Sequence, residues 1–411
     1  MTRFSAAAAL AALLTFASAA LPAAAQDLTG LLDFVVQEAV DLPNPTGTGL
    51  RPAASPVAEE IHTFYDRILL PMKIIISLFV LGLLGWVVFK FNKRANPNPS
   101  KFTHNTTLEV VWTAVPVAIL LVIAVPSFEL LGVEDVMPDG QVFNYDQEAG
   151  QTDFAFPNDF ARSRRVTNNR HIDVFAMSGD ERRRLQPGRD FRVSGYGDEQ
   201  VVVSLREALP TNETLRIVAG RSRVGVKPIV DMRPVLPIYL GRDSAEIVAA
   251  PTVTIKATGY QWGWAYSYPD YGDFEFNALM QSEAEAGERL YRLATTNDIV
   301  VPAGETIRVI TTARDVIHSW TIPNFGVKID AVPGRLNETW FRTDQETMFY
   351  GQCSEICGKD HAFMPISVRV VSREEFEAWV DERRELDGLE PFFANNNTAD
   401  AADQQRQAAL Q

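Results

Sequence analysis

Only two of the 411 residues are cysteine and only five are histidine. Two thiols cannot make a disulfide framework. Neither sits in a Cys-x-x-Cys-His run, so no haem is attached covalently through such a motif. Basic charge is also short: the formal net charge is -14, which does not suit nucleic acid and fits a cationic protein partner or plain solubility. The two cysteines, Cys353 and Cys357, are four residues apart. Cysteines in an exported chain ordinarily pair, but a disulfide across so short a loop removes little entropy from the unfolded chain. The spacing asks for another use.

Three apolar stretches organise the first third of the chain. Residues 1–25 combine Arg3, an alanine-rich apolar run and Ala23-Ala24-Ala25 before Gln26, the pattern of a cleaved secretory signal. Residues 26–65 read as an extended leader rich in Pro, Gly and Ala. Ile74–Phe89 is free of charge, and extension back to Ile68 adds only Lys73, which can snorkel. Val110–Phe128 is likewise uncharged and contains Pro116 and Pro126, which a bundle of membrane helices tolerates. These predict a two-helix transmembrane hairpin over residues 66–131. The connecting loop carries Lys90, Lys93, Arg94 and Lys101 and no acid, which places it in the cytoplasm and everything after Phe128 outside.

Residues 132–249 read as an inserted module of uncertain order, with an arginine-rich patch (Arg162, Arg164, Arg165, Arg170 and Arg182 to Arg184) and short β-like pieces at 201–205 and 215–218. The patch suits anionic lipid or an acidic neighbour, or is a solvated face paired with local acids. Residues 250–385 contain alternating runs at 252–257, 305–311 and 366–371 separated by Pro, Gly and Asn, which predicts a β-sandwich or Greek-key barrel capped by a helix over 374–385. Residues 386–411 read as a polar tail.

The loop GQCSEICGKDHAFMP, 351–365, holds both cysteines, His361 and Met364. Thiolate, imidazole and thioether together select copper over magnesium or calcium. Within the β-domain the remaining histidine is His318, because His62, His104 and His171 precede it. One histidine from an earlier strand plus Cys, His and Met from a later loop is the layout of a blue-copper site. The second cysteine fits a pair of copper ions bridged by two thiolates, with Met364 on one ion and a backbone carbonyl on the other. Such a pair shares its unpaired electron and changes its bonds little on reduction.

This loop, with PSKFTHNTTLEVVWTAVP, TIKATGYQWGWAY and DVIHSWTIPNFGVKIDAVPGRLNET, resembles subunit II of haem-copper cytochrome c oxidases, the carrier of the dinuclear CuA centre. The resemblance spans nearly all of the chain except the insertion, and implies an all-β cupredoxin-like sandwich after the hairpin. It implies copper binding by His318, Cys353, Cys357, His361 and Met364 through side chains and by Glu355 through its carbonyl. The Glu355 side chain would reach a magnesium ion shared with subunit I. Trp262 would receive the electron of docked cytochrome c, whereas Trp264 suits the core. Glu109 would stand at the mouth of a proton path, or be an interfacial carboxylate without consequence. Asp270, Asp273 and Asp315 would lie near the docking face, each singly a solvated surface charge. Gly263 and Ser267 depart from the aromatic and the acid usual in the family. Subunits I and III, cytochrome c and membrane lipid are the implied partners, in a bacterial inner membrane with the large domain in the periplasm.

Three rival readings meet the same residues. A membrane-anchored copper carrier would use few, exposed ligands; a quinol oxidase subunit II would lack the copper ligands; nitrous oxide reductase, with a similar copper loop, is not expected to have a hairpin anchor.

Overall fold

The structure, a computed structural model, describes residues 49–394 apart from 147–149, 159–165, 169–170, 180, 197, 221–222, 225–245 and 273. The expected signal segment, most of the leader, Arg162, Arg164, Arg165, Arg170, Asp273 and the tail beyond Ala394 lie outside the described residues.

The leader ends in a helix, α1 (Pro56–Phe64), where extended chain was expected. Ser55 caps it by accepting from the Ala58 N–H, and Pro56 occupies the first turn, where its missing donor costs nothing. A π-helical turn, Tyr65–Leu69, leads directly into α2 (Leu70–Lys90). The 21 residues of α2 span about 32 Å, enough for a hydrocarbon core. Lys73 reaches back to the Tyr65 hydroxyl at 2.9 Å, the snorkelling its position required. The second span is α3 (Thr106–Asp135), capped by Asn105. Both spans are long, apolar and almost wholly unburied within the chain, which is the surface lipid or neighbouring helices would cover.

The stretch after α3 has its own core. In the first sheet of this module, β1 (Gln141–Asp146), β3 (Ile172–Ser178), β4 (Glu181–Leu185) and β7 (Thr214–Ala219) are arranged β1-β7-β3-β4. In the second, β2 (Asp153–Pro157), β5 (Phe191–Ser194) and β6 (Gln200–Leu205) are arranged β2-β6-β5. Phe154, Phe156, Val174, Phe191, Val203, Leu215 and Ile217 are buried together. The short strands β8 (Arg223–Val224) and β9 (Glu246–Ile247) form a further pair. The described arginines of the patch are matched by acids: Arg182 with Glu246, Arg183 with Glu213, and Arg184 with the buried Asp173. The module begins and ends at one point, because the Gly140 N–H donates to the Val248 carbonyl and Ala250 N–H to that of Gly140.

The C-terminal domain is a β-sandwich. One sheet holds β10 (Val253–Tyr260), β11 (Gly263–Ser267), β12 (Glu275–Ala278), β14 (Thr306–Ala313) and β17 (Asn337–Arg342), ordered β12-β11-β10-β14-β17. Opposite it lie β13 (Ile299–Pro302), β18 (Met348–Gln352) and β19 (Pro365–Val371), ordered β13-β19-β18, and the hairpin of β15 (His318–Ile322) and β16 (Val327–Ala331). The parallel pairs β10 with β14 and β13 with β19 come from crossing connections, the signature of a Greek-key rather than a meander. Ile255, Val309, Trp320, Phe341, Phe349, Ile366 and Val368 fill the space between the sheets. A short helix, α4 (Glu283–Leu290), sits on the β12–β13 connection. Helix α5 (Arg373–Leu386) closes one end with Phe376 and Val380. The chain beyond it turns back: Asp381 accepts from the N–H groups of Phe392, Phe393 and Ala394, and Phe392 packs on Tyr271. The domain thus extends to Ala394, past the expected limit of 385, because two aromatic residues in the supposed tail find apolar cover.

Membrane helices and sandwich are fastened at one corner. Val57 of α1 and Trp340 of β17 are buried with Val248, and the Trp340 indole donates to the Val133 carbonyl at 3.2 Å. Ser55 also donates to the Phe325 carbonyl.

Candidate metal centre

Two loops at one end of the sandwich converge. His318 is the first residue of β15, at the end of the β14–β15 loop, and the β18–β19 loop delivers the rest. Cys353 Sγ lies 3.9 Å from His318 Nδ1, 3.9 Å from Cys357 Sγ and 3.3 Å from the Glu355 carbonyl oxygen. Cys357 Sγ lies 3.5 Å from both His361 Nδ1 and Met364 Sδ. The cysteines are free thiols, and His318 with the two cysteines is the metal-competent His/Cys/Asp/Glu group found among the described residues. Two imidazole nitrogens, a thioether and a carbonyl thus gather around the two thiol sulfurs, a donor set that fits copper. His318, both cysteines and Met364 are buried, while His361 is half-buried in a 3-10 turn, His361–Phe363.

Asp315 is exposed, yet one edge of its carboxylate is engaged with the site. Its Oδ1 is 3.0 Å from His318 Nε2, and its carboxylate also accepts from the Gln261 and Val316 N–H groups at 2.7 Å. A carboxylate only accepts, so Nε2 carries the ring hydrogen and Nδ1 presents its lone pair to the cluster. Burial opposes protonation of His318, but Cys353 and Asp315 outweigh it and raise its pKa. Burial also opposes ionisation of Cys353, yet the His318 ring and nearby backbone groups hold that thiol below its usual range. Burial and then the Cys353 charge push Cys357 up.

The scaffold leaves room for these groups. A Cβ at Gly259 would lie 2.8 Å from His318 Cδ2, so β10 needs glycine beside the imidazole. Trp264 is fully buried and meets His318 edge-on at 6.0 Å, in keeping with a core indole. Trp262 is only partly buried and packs on the 351–365 loop beside Gly358. The departures have local causes. The volume in front of Gly263 is taken by Leu279 and the Tyr260 hydroxyl, and Ser267 is buried in β11. Asp270 is engaged too, accepting from the Thr254 N–H at 2.6 Å. The Glu355 side chain is exposed next to Ile356, which is 77% exposed. Glu109, far along the chain in the first turn of α3, accepts from the Asn105 N–H at 3.3 Å and so closes that helix end.

A membrane-anchored, cupredoxin-like domain with a thiol–imidazole metal cluster defines a class of copper protein. Residues 253–371 match the family model of the cytochrome c oxidase subunit II periplasmic domain, and residues 43–130 match that of its transmembrane domain. A probable cytochrome c oxidase subunit 2 from Rickettsia bellii (strain RML369-C) is 34% identical over 345 residues, covering 84% of this chain and 87% of the relative. Cytochrome c oxidase subunit 2 of Cereibacter sphaeroides is 32% identical over 366 residues, 84% of each chain. The solved periplasmic domain of subunit II of cytochrome oxidase from Bradyrhizobium japonicum is 54% identical across 34% of this chain and 97% of its own, with a TM-score of 0.32. The chain belongs to the cytochrome c oxidase subunit II family.

Proposed function

We propose that this chain takes single electrons from cytochrome c at a dinuclear CuA centre and passes them to haem in subunit I, where oxygen is reduced to water with proton pumping. The observation that carries this is the convergence of six donor atoms in one cluster, both buried thiols among them. His318, Cys353, Cys357, His361 and Met364 would hold two copper ions through side chains, and Glu355 through its carbonyl. Copper there would supply a one-electron site whose bonds change little between redox states.

The chain's own residues do the rest. Burial of the sulfurs keeps water and exchange ligands out, which suits retention of metal and works against the copper-carrier alternative. Asp315 fixes the His318 ring. Trp262, half-exposed and seated against the ligand loop, offers an aromatic path from a docked cytochrome c. The exposed Glu355 carboxylate is free to share a magnesium ion with subunit I, and Glu109 marks the mouth of a proton path on the opposite side. The basic loop between α2 and α3 supports a cytoplasmic hairpin turn, with the sandwich in the periplasm of a bacterial inner membrane, the signal segment 1–25 removed, and subunits I and III and lipid around the two spans.

Rapid mixing of the assembled oxidase with reduced cytochrome c tests this. The copper absorption should bleach before the haem of subunit I is reduced, and Trp262→Phe should slow that bleaching while leaving the resting copper spectrum unchanged. Haem reduction without earlier bleaching would reject the proposal, and unchanged kinetics would remove Trp262 from it.

A further inference from the structure

The metal cage is assembled from two separate pieces of chain. His318 opens β15, with Asp315 in the loop just before it, and the other five donors arrive on the β18–β19 loop. Between these lies the β10–β11 turn, and one residue of that turn touches both. The Gln261 backbone N–H donates to Asp315 Oδ2 at 2.7 Å, and its side-chain Nε2 donates to the Cys357 carbonyl at 2.8 Å.

We propose that Gln261 is a positioning residue, a clasp that sets the spacing between the His318 half and the cysteine half of the cage. This rests on the copper-site reading above. A carbonyl can only accept, so the amide must turn its NH2 toward Cys357. Holding that carbonyl fixes the backbone from which the Cys357 sulfur reaches His361 and Met364. The next residue, Gly358, has φ +129°, and a Cβ there would lie 3.0 Å from Gln261 Nε2 and 3.1 Å from the Trp262 ring. Glycine lets the loop come close enough to be clasped, and seats Trp262 against it in the same contact. Sequence inspection passed over Gln261 because nothing in GYQWGW distinguishes a clasp from a surface amide.

The test uses the full-length chain with Gln261→Leu and, separately, Gln261→Glu. Both keep the backbone N–H to Asp315 and remove the side-chain donor; Leu does so without adding charge, and Glu does so while keeping length and volume. Partners of metal-bound groups typically contribute about 10- to 100-fold in metal affinity. Copper release to an excess of a soluble chelator should therefore be about tenfold faster or more in both variants, with altered copper hyperfine splitting. In metal-free protein, labelling of Cys353 and Cys357 by a thiol reagent should also accelerate, while the urea midpoint stays close to wild type. The labelling arm needs no copper, so it judges the clasp even if wild-type protein binds no metal, an outcome that would instead reject the copper reading. Wild-type release and labelling rates in both variants would overturn the proposal.

Discussion

Replacing Asp315 by alanine takes one acceptor away from three donors: the His318 ring and the N–H groups of Gln261 and Val316. The three losses are unequal. The two backbone groups are at the surface, where water substitutes. His318 is 0% exposed, so its Nε2 hydrogen is left without a partner. An unsatisfied buried donor costs about 1–3 kcal/mol. Metal affinity should fall by about 10- to 100-fold, because the ring also loses the partner that fixes its tautomer. The two magnitudes agree, since tenfold corresponds to about 1.4 kcal/mol. Asp315→Asn keeps an oxygen acceptor and should lose less on both counts. Chelator competition gives the copper affinity of the full-length protein, and urea unfolding of the metal-free form gives the stability. An alanine variant as stable as wild type and with undiminished copper affinity would refute the reasoning.

Gly259→Ala places a methyl 2.8 Å from the His318 ring in a strand paired on both sides, so overpacking should cost about 1–3 kcal/mol and reduce copper content by metal analysis. Tyr266 and Tyr268 are fully buried, and burial raises both pKa values above the ordinary 10. The unfolded chain releases these protons first, so stability holds below pH 10 and falls above it. Each phenol contributes about 1.4 kcal/mol per pH unit until its folded pKa is reached. Unfolding curves at rising pH check this, with delayed phenolate absorbance of the folded protein as the companion signal. Excision of residues 141–246 behind a short glycine linker should leave copper content unchanged, because Gly140 and Val248 are already hydrogen-bonded at the excision point.

The parts legible in the sequence were those whose physics is local. The spans follow from apolar length, and the 351–365 loop follows from the rarity of its residue types. What escaped depended on contacts distant in sequence. Asp315 looks like any loop acid until the chain folds it back on His318, although the i, i+3 spacing offered a hint. Phe392 and Phe393 looked like tail residues because their cover, Tyr271, lies over a hundred positions away. The inserted module looked weakly patterned because its strands are short and some bury only alternate residues, as in Asp153–Pro157, where Phe154 and Phe156 are buried between exposed neighbours. Helix α1 was hidden in a proline-rich leader, yet Ser55-Pro56 is a helix start in its own right.

The most direct test of the central claim is copper analysis of the purified full-length protein together with its electron paramagnetic resonance spectrum. Two coppers per chain and a seven-line hyperfine pattern, from one electron shared by two equivalent nuclei, are the predicted result. One copper with four lines, or none with the thiols joined as a disulfide, would contradict it.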